Sequence, residues 1–140
     1  MAKPRVALDL QIPSDVSYIE GVVELATRKC RELSIPPHKC SLNVRIALAE
    51  AISNAILRGN GDALNKHVRV KAVVHDDSVV FDVVDEGPGF DLGAERPDPT
   101  SPDNLLKEDG RGLFLMRQLM DSVERFQSDG NVVRLTIKRP

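Results

Sequence analysis

Apolar and polar residues change their period along the chain, and each change marks an element. From Lys3 to Ile12 the alternation through Val6, Leu8 and Leu10 predicts a β-strand with Asp9 on its other face, at or near a sheet edge. Pro13-Ser14-Asp15 then offers a helix start. Val16, Ile19, Val22, Val23, Ala26, Cys30 and Leu33 recur at helical spacing up to the Ser34-Ile35-Pro36-Pro37 stop, leaving one apolar and one charged face. A second helix is expected from about His38 to Arg58, carrying Leu42, Ile46, Ala49, Ile52 and Ile56 and ended by Gly59-Asn60-Gly61.

The second half of the chain reads mostly as strands. Val68 to Val74 and Val79 to Val84 are rich in β-branched residues, and His75-Asp76-Asp77-Ser78 between them predicts an antiparallel hairpin with Asp85 at its open end. Asp91 to Asp109 holds Pro97, Pro99 and Pro102 among scattered acids without periodicity, so a lid is expected there. Leu113, Met116, Leu119, Met120 and Val123 predict a third helix after a Gly110 turn. Val123 to Gln127, a Ser128-Asp129-Gly130-Asn131 turn and Val132 to Lys138 close the chain as a hairpin. Together these give an α+β fold, an α/β sandwich whose mixed, mostly antiparallel sheet carries helices on one face. There is no internal repeat or low-complexity tract.

Composition narrows the picture. At 140 residues the chain reads as one domain, 1–140, able to bury about two-thirds of its unfolded surface. A net charge of −2 lacks the basic excess of a nucleic-acid surface. Cys30 and Cys40 have no His or Cys neighbours at metal spacing, and His38, His67 and His75 lie in a loop and at strand ends. With no signal peptide and no apolar run long enough to span a bilayer, the expectation is a cytoplasmic protein with reduced thiols.

Three stretches carry candidate chemistry. Asp85-Glu86-Gly87-Pro88-Gly89-Phe90 delivers a carboxylate at a strand end, followed by two glycines that allow close backbone approach. An ordinary tight turn has the same look. In Leu48 to Ile56, Glu50 and Asn54 stand four apart and share a helix face, so a carboxylate and a carboxamide offer hard oxygens for a hydrated cation or a hydroxyl. A solvated polar stripe is the alternative. Gly110-Arg111-Gly112-Leu113 leads into a helix whose first N–H groups attract phosphate, with Arg111 adding a permanent positive fork, or else is simply a loop end.

In this order, the three stretches resemble the N, G1 and G2 boxes of the ATP-binding fold shared by DNA gyrase, the heat-shock chaperone ATPase, histidine kinases and the mismatch-repair ATPase. The short length and the wording Glu50-x-x-x-Asn54-Ala55, Asp85-x-Gly87-x-Gly89-Phe90-Asp91 and Gly110-Arg111-Gly112-Leu113-x-Leu115-Met116 look most like the bacterial anti-sigma-factor serine/threonine protein kinases. The resemblance implies that Asp85 accepts a hydrogen bond from the adenine amino group of ATP, while Gly87 and Gly89 keep the floor under the base open. It further implies that Asn54 binds Mg2+, that Gly110, Arg111 and Gly112 close over the γ-phosphate, and that Glu50 is the general base. The implied partners are an anti-sigma-factor antagonist as phosphorylation substrate and a sigma factor, without direct nucleic-acid or membrane binding.

The chain also departs from that pattern. Many relatives carry His-Gly after the N box, where this chain has Arg58-Gly59. A Gly-Thr pair usually opens the last strand and helps hold adenine; here Gly130-Asn131 stands in its place, and Asn131 reads equally as a functional amide or a turn residue. Besides the kinase, a nucleotide-sensing module without phosphotransfer and a histidine-kinase-like ATPase fragment remain open. Glu50 favours the kinase, and the short lid and missing dimerisation hairpin disfavour the fragment. A homodimer is expected as well, since Val6, Leu8 and Leu10 with an Ile19/Val23 helix face offer surplus apolar surface near a sheet edge, and the resemblance implies pairing through the N-terminal region.

Overall fold

A computed structural model describes residues 3–61, 63, 65–87 and 108–139. Strand β1 (Arg5–Pro13) leads through a single 3-10 turn, Val16–Tyr18, into helix α1 (Ile19–Glu32). Asp15 caps that turn, its Oδ1 accepting the Ser17 N–H at 2.9 Å. Helix α2 (Arg45–Asn54) is flanked by wider π-helical segments, Lys39–Val44 and Ala55–Gly59. Strands β2 (His67–Val74) and β3 (Ser78–Asp85) form the expected hairpin. Helix α3 (Glu108–Leu119) and strands β4 (Ser122–Gln127) and β5 (Asn131–Lys138) complete the described chain.

The strands lie in the order β1-β2-β3-β5-β4. The expected mixed sheet is antiparallel at each of these four ladders, because β2-β3 and β4-β5 are hairpins and β1 and β5 join as antiparallel neighbours. Strand β1 does occupy an edge. Alternation sorts the strands into two faces: Val68, Val70, Ala72, Val79, Phe81, Val83, Leu135 and Ile137 are buried with α1 and α2 in one apolar core. The other face mixes charged residues with Val73, Val80, Val84 and Val132 and is tied across strands by Arg69 to Asp9 at 2.7 Å and Arg134 to Asp82 at 2.8 Å. The Arg69 hydrogen bonds hold the Asp9 carboxyl below the usual carboxylate range.

The long helical stretch is the centre of the helix layer, with α1 on one side and α3 on the other. Its buried stripe runs through Cys40, Val44, Leu48, Ile52 and Ile56, with Ala47, Ala51 and Ala55 alongside. Leu42, expected on this apolar face, is 52% exposed, because the buried residues of the first π-helical segment are Cys40 and Val44. Val16 is exposed too, since it precedes α1 in the 3-10 turn. By length and composition Lys39–Gly59, with a mean hydropathy of 1.2, could cross a membrane, which the sequence reading did not anticipate. Its apolar stripe is instead spent on the sheet and neighbouring helices, as in a core helix. Arg45 fastens α1 to it through Glu20 at 2.8 Å and Glu24 at 2.9 Å.

Two differences concern the N-terminal region and the third box. Val23 is fully buried, while Leu8, Leu10 and Ile19 pack against the core, so the expected apolar surplus shrinks to Val6, 54% exposed, with Val16 and Tyr18. Helix α3 begins at Glu108, which draws Gly110, Arg111 and Gly112 into its first turns instead of a preceding turn.

Candidate functional site

The period that buries the apolar side of β3 also delivers its terminal carboxylate. Val79, Phe81 and Val83 face the helices, and Asp85 is the next residue in that series, 7% exposed. Its Oδ1 accepts the Gly87 backbone N–H and the Asn131 Nδ2 amide, both at 2.8 Å. Asn131 is the first residue of β5 and pairs directly opposite Asp85 in the ladder. The turn reading of Asn131 is thereby displaced. Its place is a buried one on the helix side, and the tight turn is made by Ser128 to Gly130, with Asp129 at φ 50° and Gly130 at φ 130°.

Helix end and strand end meet through backbone. A Cβ on Gly59 would collide with the whole Asp85 carboxyl group, even the farther oxygen Oδ1 being only 2.7 Å away. A Cβ on Gly87 would strike the Gly59 carbonyl. Both positions therefore need glycine for close approach; Gly59, expected as a helix stop and as the glycine of the Arg58-Gly59 pair after the N box, has a contact with Asp85 that the sequence reading missed. Beside it, Asn60 is 2% exposed and bonds three segments: Nδ2 donates to the His67 carbonyl at 2.9 Å and to Ser14 Oγ at 3.3 Å, and Oδ1 accepts the Glu86 N–H at 2.7 Å. The Glu86 carboxylate in turn accepts the His67 N–H. Asn60 was likewise missed. Its only sequence signal is a polar residue between two glycines, which a plain helix stop shares.

A second cluster lies farther back along the central helix. Glu50 and Asn54 sit on one face of α2, both half-buried. Gly112 of α3 packs against them, so that a Cβ there would lie 2.9 Å from Glu50 Oε2 and 3.2 Å from Asn54 Nδ2. The other end of α3 is pinned to the same long helix, where Asn43 Nδ2 donates to the Leu119 carbonyl at 2.8 Å. Helix α3 thus runs antiparallel to α2, with its N-terminal amides at the Glu50/Asn54 end. Nine residues separate Glu50 from Gly59, roughly 13 Å of helix rise. The buried Asp85 carboxylate and the Glu50/Asn54/Gly112 cluster stand at the two ends of that span.

Among the expected site residues, Asp85 and Gly87 come together at one cluster, and Glu50, Asn54 and Gly112 at the other. Gly110 lies in the first turn of α3. Gly89, the Arg111 side chain and the greater part of the expected lid fall outside the described residues. Arg58 is exposed. His67 lies beside Glu86, Nδ1 to Oε2 3.6 Å, and no group of three or more His, Cys, Asp or Glu forms a metal cluster among the described residues. Cys30 and Cys40 are both fully buried, and burial pushes both thiols up.

An antiparallel α/β sandwich with a buried strand-end carboxylate, a polar helix face and a facing helix start defines a nucleotide-binding domain of the ATPase type. Residues 12–137 match the histidine kinase-like ATPase domain, and the chain belongs to that family. It is 29% identical over 134 residues to the serine-protein kinase RsbW of Bacillus velezensis, covering 92% of this chain and 83% of that protein. It is 30% identical over 100 residues to the anti-sigma F factor of Clostridium beijerinckii, covering 69% of this chain and 68% of that protein. Its fold is similar to a solved structure of the RsbU and RsbW domains of Rv1364c from Mycobacterium tuberculosis, with a TM-score of 0.63 at 17% identity, over 99% of this chain and 33% of that one.

Proposed function

We propose that the protein is an ATP-dependent serine/threonine protein kinase and anti-sigma factor, which phosphorylates an anti-sigma-factor antagonist and sequesters a sigma factor. The similarity to RsbW kinases and to an anti-sigma F factor supports this reading. The observation that carries it is the packing of Gly112 against Glu50 and Asn54, which brings a carboxylate, a carboxamide and a helix start together.

The residues present fit Mg-ATP. A Mg2+ ion in a nucleotide site takes one or two protein oxygens, with phosphates and water supplying the rest, and Asn54 offers such an oxygen. When bound, the ion neutralises charge on the phosphates. Asp85 accepts from the adenine amino group, its carboxylate being fixed by Gly87 and Asn131. Gly87 and Gly89 line the base pocket, while Gly110, Arg111 and Gly112 with the first amides of α3 hold the γ-phosphate. Glu50 takes the proton from a serine or threonine hydroxyl of the antagonist as that oxygen bonds to the γ-phosphorus and ADP leaves. Alignment and charge neutralisation supply most of the rate enhancement.

The same reading makes the chain a single cytoplasmic domain, 1–140, acting as a homodimer. The edge position of β1 and the exposed Val6, Val16 and Tyr18 support the dimer. The test of the kinase is incubation with labelled ATP, Mg2+ and the antagonist protein. Glu50→Gln should keep ATP affinity within a few-fold and lower phosphotransfer by roughly 10²–10⁴. Equal transfer by both proteins removes Glu50 as the base, and no transfer by the wild type favours a nucleotide sensor.

A further inference from the structure

The helices pack on one face of the sheet. On the other, strand pairing lines up Asp9, Lys71, Asp82 and Arg134 in one row and Val6, Val73 and Val80 in the next. Arginines take both acids of the charged row: Arg69 donates twice to the Asp9 carboxylate, at 2.9 and 2.7 Å, and Arg134 twice to that of Asp82, at 2.8 and 2.9 Å. Lys71 stands between these acids, paired with neither, and makes no other ion pair among the described residues. Beyond Val73 on the same strand and face comes His75, whose ring has no hydrogen bond among the described residues. Where Val84, Val132 and Phe126 align at the far end, the face covers itself: Val132 is 4% exposed and Arg134 lies 4.8 Å over the Phe126 ring. The end with Lys71 and His75 is open. There Lys71, Val73, His75, Val80, Asp82 and Arg134 line a depression of about 290 Å³.

We propose that this face is a docking surface for an extended, acidic segment of a partner protein, with the pattern acid-x-aliphatic-x-acid. Alternate side chains of a strand repeat about every 6.6–7 Å, so a segment laid along β2 keeps step with Lys71, Val73 and His75. One acid meets the Lys71 ammonium, the aliphatic residue covers the Val73/Val80 floor, and the other acid accepts from the His75 ring. The pattern reads the same in both directions, so either strand polarity fits. With Asp9 and Asp82 neutralised by their own arginines, Lys71 supplies the uncompensated charge that selects an acidic partner. An enclosed small-molecule site measures about 300–1,000 Å³ and buries most of its ligand. This depression is smaller and open to solvent, which suits a few side chains of a longer chain.

The test is an amide NMR titration of the isotope-labelled full chain with the peptide Gly-Glu-Thr-Val-Thr-Glu-Gly, alongside Gly-Lys-Thr-Val-Thr-Lys-Gly, inorganic phosphate and glutarate. The acidic peptide should shift the amides of Lys71 to His75 and of Val80 to Asp82, and the lysine peptide should not. Lys71→Glu, which replaces an attraction by a repulsion, should weaken the acidic peptide about fivefold, while Lys29→Glu on the exposed side of α1 should leave it unchanged. An unshifted wild-type spectrum at about 1 mM acidic peptide would overturn the proposal. So would equal binding of the lysine peptide, or undiminished binding by folded Lys71→Glu. Phosphate or glutarate binding as tightly as the peptide would make the depression a small-anion site instead, and shifts of the same amides on concentrating the protein alone would assign the face to a second copy. The wild-type titrations decide even where Lys71→Glu does not fold.

Discussion

Replacing Gly59 with alanine would set a methyl group where the Asp85 carboxyl group now lies. All three carboxyl atoms fall within 2.7 Å of the added carbon, against about 3.5–4 Å for a relaxed contact. The clash cannot be relieved at the tip of a flexible chain. Asp85 is short, 7% exposed, and fixed by the Gly87 N–H and the Asn131 amide. Either the carboxylate leaves those donors or the end of the central helix moves off the sheet. Overpacking costs about 1–3 kcal/mol, and a weakened hydrogen bond to a charged group about 1.5 kcal/mol or more, so a loss of about 2–4 kcal/mol in unfolding free energy is expected. Urea unfolding measures it, with ATP affinity by calorimetry, which should fall at least tenfold. Gly21→Ala is the control: nothing lies within 4 Å of its added Cβ, inside α1, so a gain of about 0.5–1 kcal/mol is expected. Gly59→Ala unfolding within 0.5 kcal/mol of the wild type would refute the close approach of helix end and carboxylate.

Asn60→Ala leaves the Glu86 N–H and the His67 carbonyl without their amide partner and should cost about 2–4 kcal/mol by chemical denaturation; Asn60→Asp, which keeps the acceptor, should restore part of the loss. Cys30 and Cys40, buried and with raised thiol pKa, should react with an aromatic disulfide reagent only as fast as the protein unfolds, so prompt labelling in the native state would contradict their packing. Val6→Lys should convert a dimer to a monomer by light scattering at micromolar concentration while leaving ATP affinity unchanged; a monomeric wild type would end the homodimer reading.

What the sequence determined by itself was periodic or punctuated. The strand pattern placed Asp85 at the end of a buried run, the hairpin at His75 to Ser78 matched the ladder from Val74 opposite Val79, and the four-residue spacing of Glu50 and Asn54 put them on one helix face. These follow from local geometry, where a period of two or 3.6 is fixed by the backbone. Tertiary structure decided which of these pieces touch. No local rule brings Gly59 against Asp85, or Gly112 against Glu50, because those contacts depend on how the helix layer seats on the sheet. The same holds for Leu42 and Val23, exposed and buried against expectation, since winding and neighbours outweigh pattern there. Asn131 shows the division most sharply: its sequence context leaves a functional amide and a turn residue equally open, and only its pairing with Asp85 across β3 and β5 makes the amide a buried, oriented donor to that carboxylate.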